Sequence, residues 1–258
     1  MKNRMYIGTL FLAMLVQVSV YAQMSGNPVG SQGAGEWTIG ASASTLKHMI
    51  GTTTTHSQRL VLKSAWGLSN WVDFFVLAGG VQLNAESASS GIEDFEGKFK
   101  PGIGAGLKLS LMDENVSGFG LWVDGHAFRF TSRGSYDQAQ IISGTAYTRE
   151  YHLYYDWREF QGNVGITIPI KRVKFYAAGT AFNIWRKDQK NEYLVDTNAS
   201  QQSLGESNDE YKSGLWTGGL LGLEIELPQR YSLSVEFLGY NKKNYQIMFG
   251  ISQIGMNR

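Results

Sequence analysis

Residues 98 to 111 alternate between apolar side chains and charged, hydroxylated or absent ones, and no other feature of the sequence constrains the fold as strongly. Phe99, Ile103 and Leu107 fall on one face, whereas Lys98 and Lys108 fall on the other. A period of two is typical of a β-strand whose two faces meet different surroundings. Strands of soluble sheets usually span about five or six residues. The fourteen residues here suffice to cross a bilayer at a tilt, so we predict a transmembrane strand.

Segments of the same kind recur from residue 36 to the end of the chain, and we predict ten strands, with eight as the nearest alternative count. The predicted strands are 36–48, 56–68, 71–84, 98–111, 118–131, 148–168, 173–187, 211–227, 230–240 and 245–256. The composition favours strands, because the chain has 31 Gly and 33 aromatic residues but only 4 Pro. The alternation does not decide which face of 71–84 or of 173–187 points outward.

The connections between these segments alternate in length. Short connections are predicted at 69–70, 112–117, 169–172 and 228–229, and longer ones at 49–55, 84–97, 132–147 and 188–210, although the last connection, 241–244, is also short. Short periplasmic turns and long outer loops are typical of outer-membrane barrels. Closing the sheet also removes strand edges that lipid cannot hydrate. We therefore predict an all-β fold, a closed antiparallel transmembrane β-barrel of about ten strands.

The first residues have the pattern of a secretory signal peptide. Lys2 and Arg4 precede an apolar run over 5–20, which ends in Val20-Tyr21-Ala22. A transmembrane anchor is the alternative, but the run is shorter than the roughly 20 residues that a bilayer helix needs. We predict a signal peptide at 1–22, a flexible arm at 23–35 that is rich in glycine, serine and asparagine, and a barrel at 36–258.

Charge and cysteine content exclude several classes of function. The chain has 23 Lys and Arg against 22 Asp and Glu, so no excess charge would recruit nucleic acid. Cysteine is absent from the sequence, which excludes thiolate nucleophiles and cysteine metal sites. His48 and His56 flank the first long connection, but two histidines do not make a metal site. We predict neither a cofactor nor a bound metal.

Aromatic residues fall near the ends of the predicted strands. Such positions are typical of the aromatic girdles at the two membrane interfaces. The predicted interfacial aromatics are Trp37, Trp66, Trp71, Phe119, Phe160, Tyr231 and Tyr245, and Phe175 fits the same pattern.

Four segments together resemble the small bacterial outer-membrane β-barrel proteins, a superfamily of eight- and ten-stranded barrels. They are the leader through Ala22, the strand 98–111 with Gly102, Gly104 and Gly106 on its inner face, the segment 118–124, and the strands from Leu215 to Ile251. The resemblance implies residence in the bacterial outer membrane. It also implies contact with outer-membrane lipid and with the barrel insertion machinery, and it leaves the oligomeric state open.

Charged residues on the inner faces predict a network inside the barrel, because buried charges need partners. The predicted members are Lys98, Lys100, Lys108, Asp124, Glu159, Glu224, Glu226 and Glu236. Paired charges would fill the lumen and leave a structural or surface-interaction role, which we favour. The same charges lining water would instead make a narrow porin-like channel.

Asp124 and His126 share an inner face two residues apart, which raises a third possibility. The omptin proteases among ten-stranded barrels place acidic residues and histidines near the outer rim, so an outer-membrane hydrolase of the omptin or lipid-modifying type is the second alternative. His152 in the next strand could join such a site. An internal hydrogen-bonded network accounts for the pair more simply, because a barrel of this size is filled by its own side chains. We therefore do not expect an enzyme.

Overall fold

The computed structural model describes residues 21–22, 33–50, 53–87, 95–142, 145–195, 201–241 and 244–256. Within these ranges, ten antiparallel strands pair in chain order, and the first pairs with the last to close a ring. The strands are β1 (Trp37–Ile50), β2 (Thr53–Ser69), β3 (Val72–Ser87), β4 (Lys100–Met112), β5 (Gly120–Ile142), β6 (Thr145–Ile170), β7 (Val173–Val195), β8 (Trp216–Leu227), β9 (Tyr231–Asn241) and β10 (Asn244–Met256). The prediction of a closed all-β barrel of ten strands is confirmed.

Alternation decides which side chains point into the ring. Along β4, Ile103 and Leu107 are exposed on the outside, whereas Lys108 is buried inside. The two faces that the sequence left open are now assigned. On β3, Phe75 and Leu77 point inward. On β7 the inward residues include Phe182, because the even-numbered positions of that strand are the buried ones.

The two ends of the barrel differ. One end, called the turn end, carries tight turns at 70–71 and 171–172, a four-residue helix at Glu114–Ser117 and a short 3-10 turn at Pro228–Arg230. The first strand of the ring begins there and the last one ends there. The opposite end, called the loop end, carries the other connections. The predicted alternation of short and long connections does not hold throughout, because β1 ends at Ile50 and β2 begins at Thr53, and β5 ends at Ile142 and β6 begins at Thr145, so these loop-end connections are as short as the turns at 70–71 and 171–172.

Two predicted loops are largely strand in the structure. β5, β6 and β7 contain 23, 26 and 23 residues, and Gln201–Lys212 adds a further strand beside β7. Residues 131–142, 145–157, 185–195 and 201–212 thus form a four-stranded projecting sheet. The loops predicted at 132–147 and 188–210 were wrong, because these polar segments, rich in Ser, Gln and acidic residues, continue the β-ladder without the apolar outer face that marked the other strands.

Most of the predicted leader and arm lies outside the described residues. Tyr21–Ala22 forms a two-residue strand parallel to Ser44–Thr45, and the arm is described only from Gly33 onward. The signal peptide and its cleavage therefore stay predictions. Among the described residues, no helix has both the length and the apolar character needed to cross a membrane.

Candidate functional site: the lumen of the barrel

A buried ion pair crosses the lumen. Arg59 on β2 donates two hydrogen bonds to Glu159 on β6, with Nη1 to Oε2 at 2.6 Å and Nη2 to Oε1 at 2.5 Å. Both side chains are almost fully buried. Trp157 Nε1 also donates to Glu159 Oε1 at 2.6 Å. Because β2 and β6 are four strands apart in the ring, the pair spans the lumen rather than following its wall.

Aromatic rings surround this pair toward the loop end. The ring of His48 stacks on Phe182 at 5.2 Å between centroids and lies 5.1 Å from Trp216. Phe182 in turn stacks on Tyr240 at 5.2 Å. These contacts join β1, β7, β8 and β9 across the interior. A layer of stacked rings leaves little room for a column of water in a ten-stranded barrel.

A second group of aromatic rings packs against the ion pair from the side of the lumen near β4. Phe130 stacks on Trp157 at 5.7 Å, and its ring lies 5.3 Å from Arg59 Cζ. The inward glycines of β4 make room for such rings. A Cβ at Gly102 would clash with Phe128, which explains why this strand has a bare inner face.

Charged residues line the lumen toward the turn end. In register, Lys108 on β4 lies directly between Asp73 on β3 and Asp124 on β5. Lys63 on β2 points inward as well, with Nζ 4.2 Å from the centre of the Phe75 ring. Opposite charges on neighbouring inner faces offset part of the cost of removing each from water.

An ion triad lies at the turn-end mouth of the lumen. Lys174 Nζ lies 2.7 Å from Glu114 Oε1 and 2.9 Å from Glu226 Oε1. Glu114 belongs to the short helix that folds under the barrel, and its side chain is 3 % exposed. The triad therefore ties β7, β8 and that helix together across the opening.

The loop end is covered by the base of the projecting sheet. Arg186 Nη2 contacts Asp188 Oδ2 at 2.5 Å, and its Cζ lies 5.3 Å from the Tyr155 ring and 5.8 Å from the Tyr211 ring. Burial raises the pKa of Asp188, and the neighbouring Arg186 opposes that shift. Phe95 packs edge-on against Tyr155 at 4.8 Å.

The predicted lumen residues separate into groups. Lys108, Asp124, Glu159, Glu224 and Glu236 are buried inside. Glu236 accepts a hydrogen bond from the Tyr176 hydroxyl at 2.7 Å, and Glu159 is paired with Arg59. Glu226 lies at the turn-end mouth in the triad with Lys174.

Lys98 and Lys100 lie elsewhere than the sequence placed them. They line a pocket of about 550 Å³ at the loop end, together with Glu96 and Arg133. Strand β4 begins at Lys100, so Lys98 precedes the strand and Lys100 is its first residue, at the loop end. The structure does not bring them to Glu224, Glu226 or Glu236.

Asp124 and His126 both point into the filled interior. Asp124 Oδ1 accepts a hydrogen bond from Asn163 Nδ2 at 2.7 Å, and His126 lies 6.2 Å from the Phe75 ring. His152 lies apart from them, 3.5 Å from Glu150 on the projecting sheet. Among the described residues, no group of three or more potential ligands is arranged to hold a metal ion.

The predicted interfacial aromatics are distributed over both ends of the outer wall. Trp66, Trp71, Phe119 and Tyr231 are exposed toward the turn end, as is Phe175. Phe160 is exposed nearer the loop end, and Tyr245 is half-buried there. Trp37 is half-buried and donates a hydrogen bond from Nε1 to Ser64 Oγ at 2.5 Å.

Sequence reasoning missed five charged residues that fill the interior or close its mouth. They are Arg59, Lys63, Asp73, Glu114 and Lys174. The alternation of the sequence did contain a signal for Arg59. Leu60 and Leu62 are exposed on the outer face of β2, so Arg59, at the alternate position, points inward. No pattern marked Glu114, which lies in a segment that was predicted to be a turn.

Comparisons with known proteins give structural neighbours only. No family model matches the sequence, and no curated protein matches it. The translocator domain of the autotransporter NalP from Neisseria meningitidis has 9 % identity and a TM-score of 0.43, with 86 % of this chain and 88 % of that chain covered. The transport unit of the autotransporter AIDA-I from Escherichia coli has 10 % identity and a TM-score of 0.39, with 88 % of this chain and 92 % of that chain covered. The outer membrane protein OprG from Pseudomonas aeruginosa has 10 % identity and a TM-score of 0.38, with 90 % of this chain and 100 % of that chain covered.

The outer surface of the ring identifies its surroundings. Aliphatic side chains such as Ile103, Leu107, Val164, Ile166 and Leu221 are exposed around the wall. Lys108, Glu159 and Glu224 of the same strands are buried inside. Water would make that arrangement unfavourable, whereas a bilayer requires it. A closed ring also leaves no backbone edge in lipid. The chain thus forms a ten-stranded, closed transmembrane β-barrel.

Proposed function

We propose that this barrel has a structural or surface-interaction role and that its lumen is closed by its own side chains. The Arg59–Glu159 pair is the observation that carries the proposal. A bidentate contact between strands on nearly opposite walls occupies the space that a permeating ion would need.

Closure at three further levels supports the proposal. The His48, Phe182 and Tyr240 rings fill the interior toward the loop end. The triad centred on Lys174 closes the turn-end mouth. Arg186 and the rings around it cover the opposite mouth. A solute would have to displace all of these contacts in turn.

The projecting sheet is the part of the molecule that would meet a partner. Its strand Gln201–Lys212 is almost wholly exposed and, among the described residues, pairs only with β7. The free edge of such a strand offers backbone donors and acceptors that another chain can pair with. We place this sheet outside the cell, because long connections face outward in barrels of this kind.

A planar-bilayer recording tests the closed lumen. Purified wild-type protein should show no steady unitary conductance. Replacing the brace by small side chains, as in Arg59→Ser with Glu159→Ser, should produce opening events. Lys47→Ser, on the outer face of β1, is the control and should stay closed.

A narrow channel is the second candidate, and the pocket with Lys98, Lys100 and Arg133 at the loop end favours it. Basic residues at a mouth would select anions. Stable unitary conductance of the wild type, shifted toward cations by Lys100→Glu, would contradict the closed lumen and establish this channel.

Access on whole cells tests the orientation and the exposed sheet. Added protease should cleave within 188–210 and leave 112–117 intact. Cleavage confined to 112–117 would reverse the orientation and remove the projecting sheet as an outer surface.

A further inference from the structure

Four basic side chains lie together on the outer wall at the loop end. In register, Arg129 on β5 is opposite Arg158 on β6, and Arg158 is opposite Trp185 on β7. Lys187 follows Trp185 on the same face, and Lys212 is opposite Trp185 on its other side. The four side chains are 56 %, 33 %, 53 % and 63 % exposed in the order Arg129, Arg158, Lys187 and Lys212. They are called the collar.

The collar has an excess of positive charge. Asp156 accepts hydrogen bonds from Arg129 Nε and Arg158 Nη2, both at 2.9 Å. Glu210 lies 3.0 Å from Lys212 and 3.8 Å from Lys187. Four cations thus share two carboxylates.

An indole ring organises the collar. The centre of the Trp185 ring lies 5.0 Å from Arg158 Cζ and 4.6 Å from Lys212 Nζ. The ring therefore holds an arginine from one neighbouring strand and a lysine from the other. Cations held close together by a ring and shared carboxylates suit a multivalent anion.

A groove of about 510 Å³ adjoins the collar on the side of the turn end. Gly125, Gly162 and Ala181 lie opposite one another across β5, β6 and β7 and form its floor, with Phe160 and Leu215 beside them. A Cβ at Gly125 or Gly162 would meet no atom closer than 3.7 Å. The floor is therefore open to the outside.

The groove belongs to the lipid-facing wall. Beyond it toward the turn end, the exposed residues of β6 are Val164, Ile166 and Ile168. An occupant at this depth must be apolar, and an acyl chain has the matching shape and chemistry. The collar lies at the polar end of the same wall, where lipid headgroups meet the barrel.

We propose that the collar and the groove form one binding site for a phosphorylated, multiply acylated lipid of the leaflet at the loop end. The phosphate lies on the four cations, and one acyl chain lies in the groove. Charge complementarity selects an anionic headgroup, and the adjoining groove selects a lipid over free phosphate.

The charge of the collar is tested by native mass spectrometry of delipidated, refolded protein titrated with bis-phosphorylated lipid A. The double variant Lys187→Gln with Lys212→Gln removes two cations of the collar. The only carboxylate that loses its cationic partners is Glu210, which is exposed to solvent. We expect it to bind about tenfold more weakly, because charge-assisted contacts to phosphate are lost. Lys47→Gln is the matched control, since it removes an outward lysine from β1 at the same end, and its affinity should equal that of the wild type.

The groove is tested separately with the collar intact. Gly162→Leu should fill the floor and weaken binding of the same lipid A. Gly219→Leu is the control, because Gly219 is another outward glycine with an open Cβ position and does not line the groove. It should bind like the wild type.

Three results would overturn the site. Lipid A lacking both phosphates could bind as tightly as the bis-phosphorylated form. Lys47→Gln could weaken binding as much as the collar variant, which would indicate a general charge effect. The collar variant could bind like the wild type. Gel mobility of unheated samples establishes that each variant is folded, and Arg129→Gln, which leaves Arg158 on Asp156, gives an independent charge variant with the same expected loss.

Discussion

The lumen and the projecting sheet use the same side-chain chemistry in opposite surroundings. In the lumen, Arg59 and Glu159 are 0 % and 1 % exposed and meet across the barrel. On the sheet, Arg149 and Glu192 also lie 2.5 Å apart, but they are 32 % and 25 % exposed. The shortest distance is the same in the two contacts, but the buried pair is bidentate and the pair on the sheet is far more exposed to solvent.

A charge contributes most to the stability of the fold where its partner is buried. Removing one partner of a buried pair leaves an uncompensated charge in a medium of low dielectric constant, whereas a partner on the surface is replaced by water. The lumen charges should therefore determine the stability of the barrel. The sheet charges should have little effect on stability, so the sheet can vary in sequence without loss of the fold.

The largest effect should come from Glu159→Gln. The amide keeps the shape of the side chain but leaves the buried Arg59 without a counter-charge, and we expect about 3–5 kcal/mol of destabilisation. Unfolding in guanidinium, followed by loss of the heat-modifiable gel band, measures it. Glu192→Gln on the sheet is the matched control and should cost about 0.2–1 kcal/mol.

A double variant sharpens this result. Arg59→Met with Glu159→Leu replaces both charges by apolar side chains of similar size, and it should recover most of the lost stability. Equal and small effects of Glu159→Gln and Glu192→Gln would show that the lumen is hydrated and that the contrast between the regions does not hold.

The ring and the inward faces could be predicted from the sequence because the side-chain period of a strand is fixed by its geometry. Alternation alone placed Lys108, Asp124, Glu224 and Glu236 inside. It could not identify which inward residues meet, since partners such as Arg59 and Glu159 are 100 positions apart and depend on how the strands tilt around the closed ring.

The projecting sheet escaped prediction for a different reason. Outside the bilayer no apolar face is required, so residues 132–142 show no alternation of apolar and polar positions and the sequence predicts a loop there. Their pairing is imposed by the neighbouring strand, because Arg133 to Ile142 continue the same register with β6. The collar was missed as well, since its basic residues come from three strands and from Gln201–Lys212.

A smaller effect is expected at the turn-end mouth. Lys174→Met would leave Glu114, which is almost completely buried, without its cation, and we expect about 1–3 kcal/mol of destabilisation. A double-mutant cycle with Glu114→Gln in the same unfolding assay measures the coupling. A coupling energy near zero would show that the charge pair at this mouth behaves like the solvent-exposed pairs of the projecting sheet and not like the buried pairs of the lumen.

The smallest effect should be a pH dependence of the projecting sheet. A hydrogen bond from Lys190, and a second from Arg149, hold the pKa of Glu192 below its ordinary value of 4.5. A carboxyl group whose pKa is lowered by folding stabilises the folded state above its unfolded pKa, and that stabilisation is lost as the pH falls through the folded pKa. The stability difference between the wild type and Glu192→Gln should thus be present at pH 7 and be lost as the pH is lowered below the ordinary pKa of 4.5 and through the folded-state pKa. Because the group is largely solvated, the difference should stay within about 1 kcal/mol. A difference that grows on acidification would mean that burial, as in the lumen, dominates at this position too.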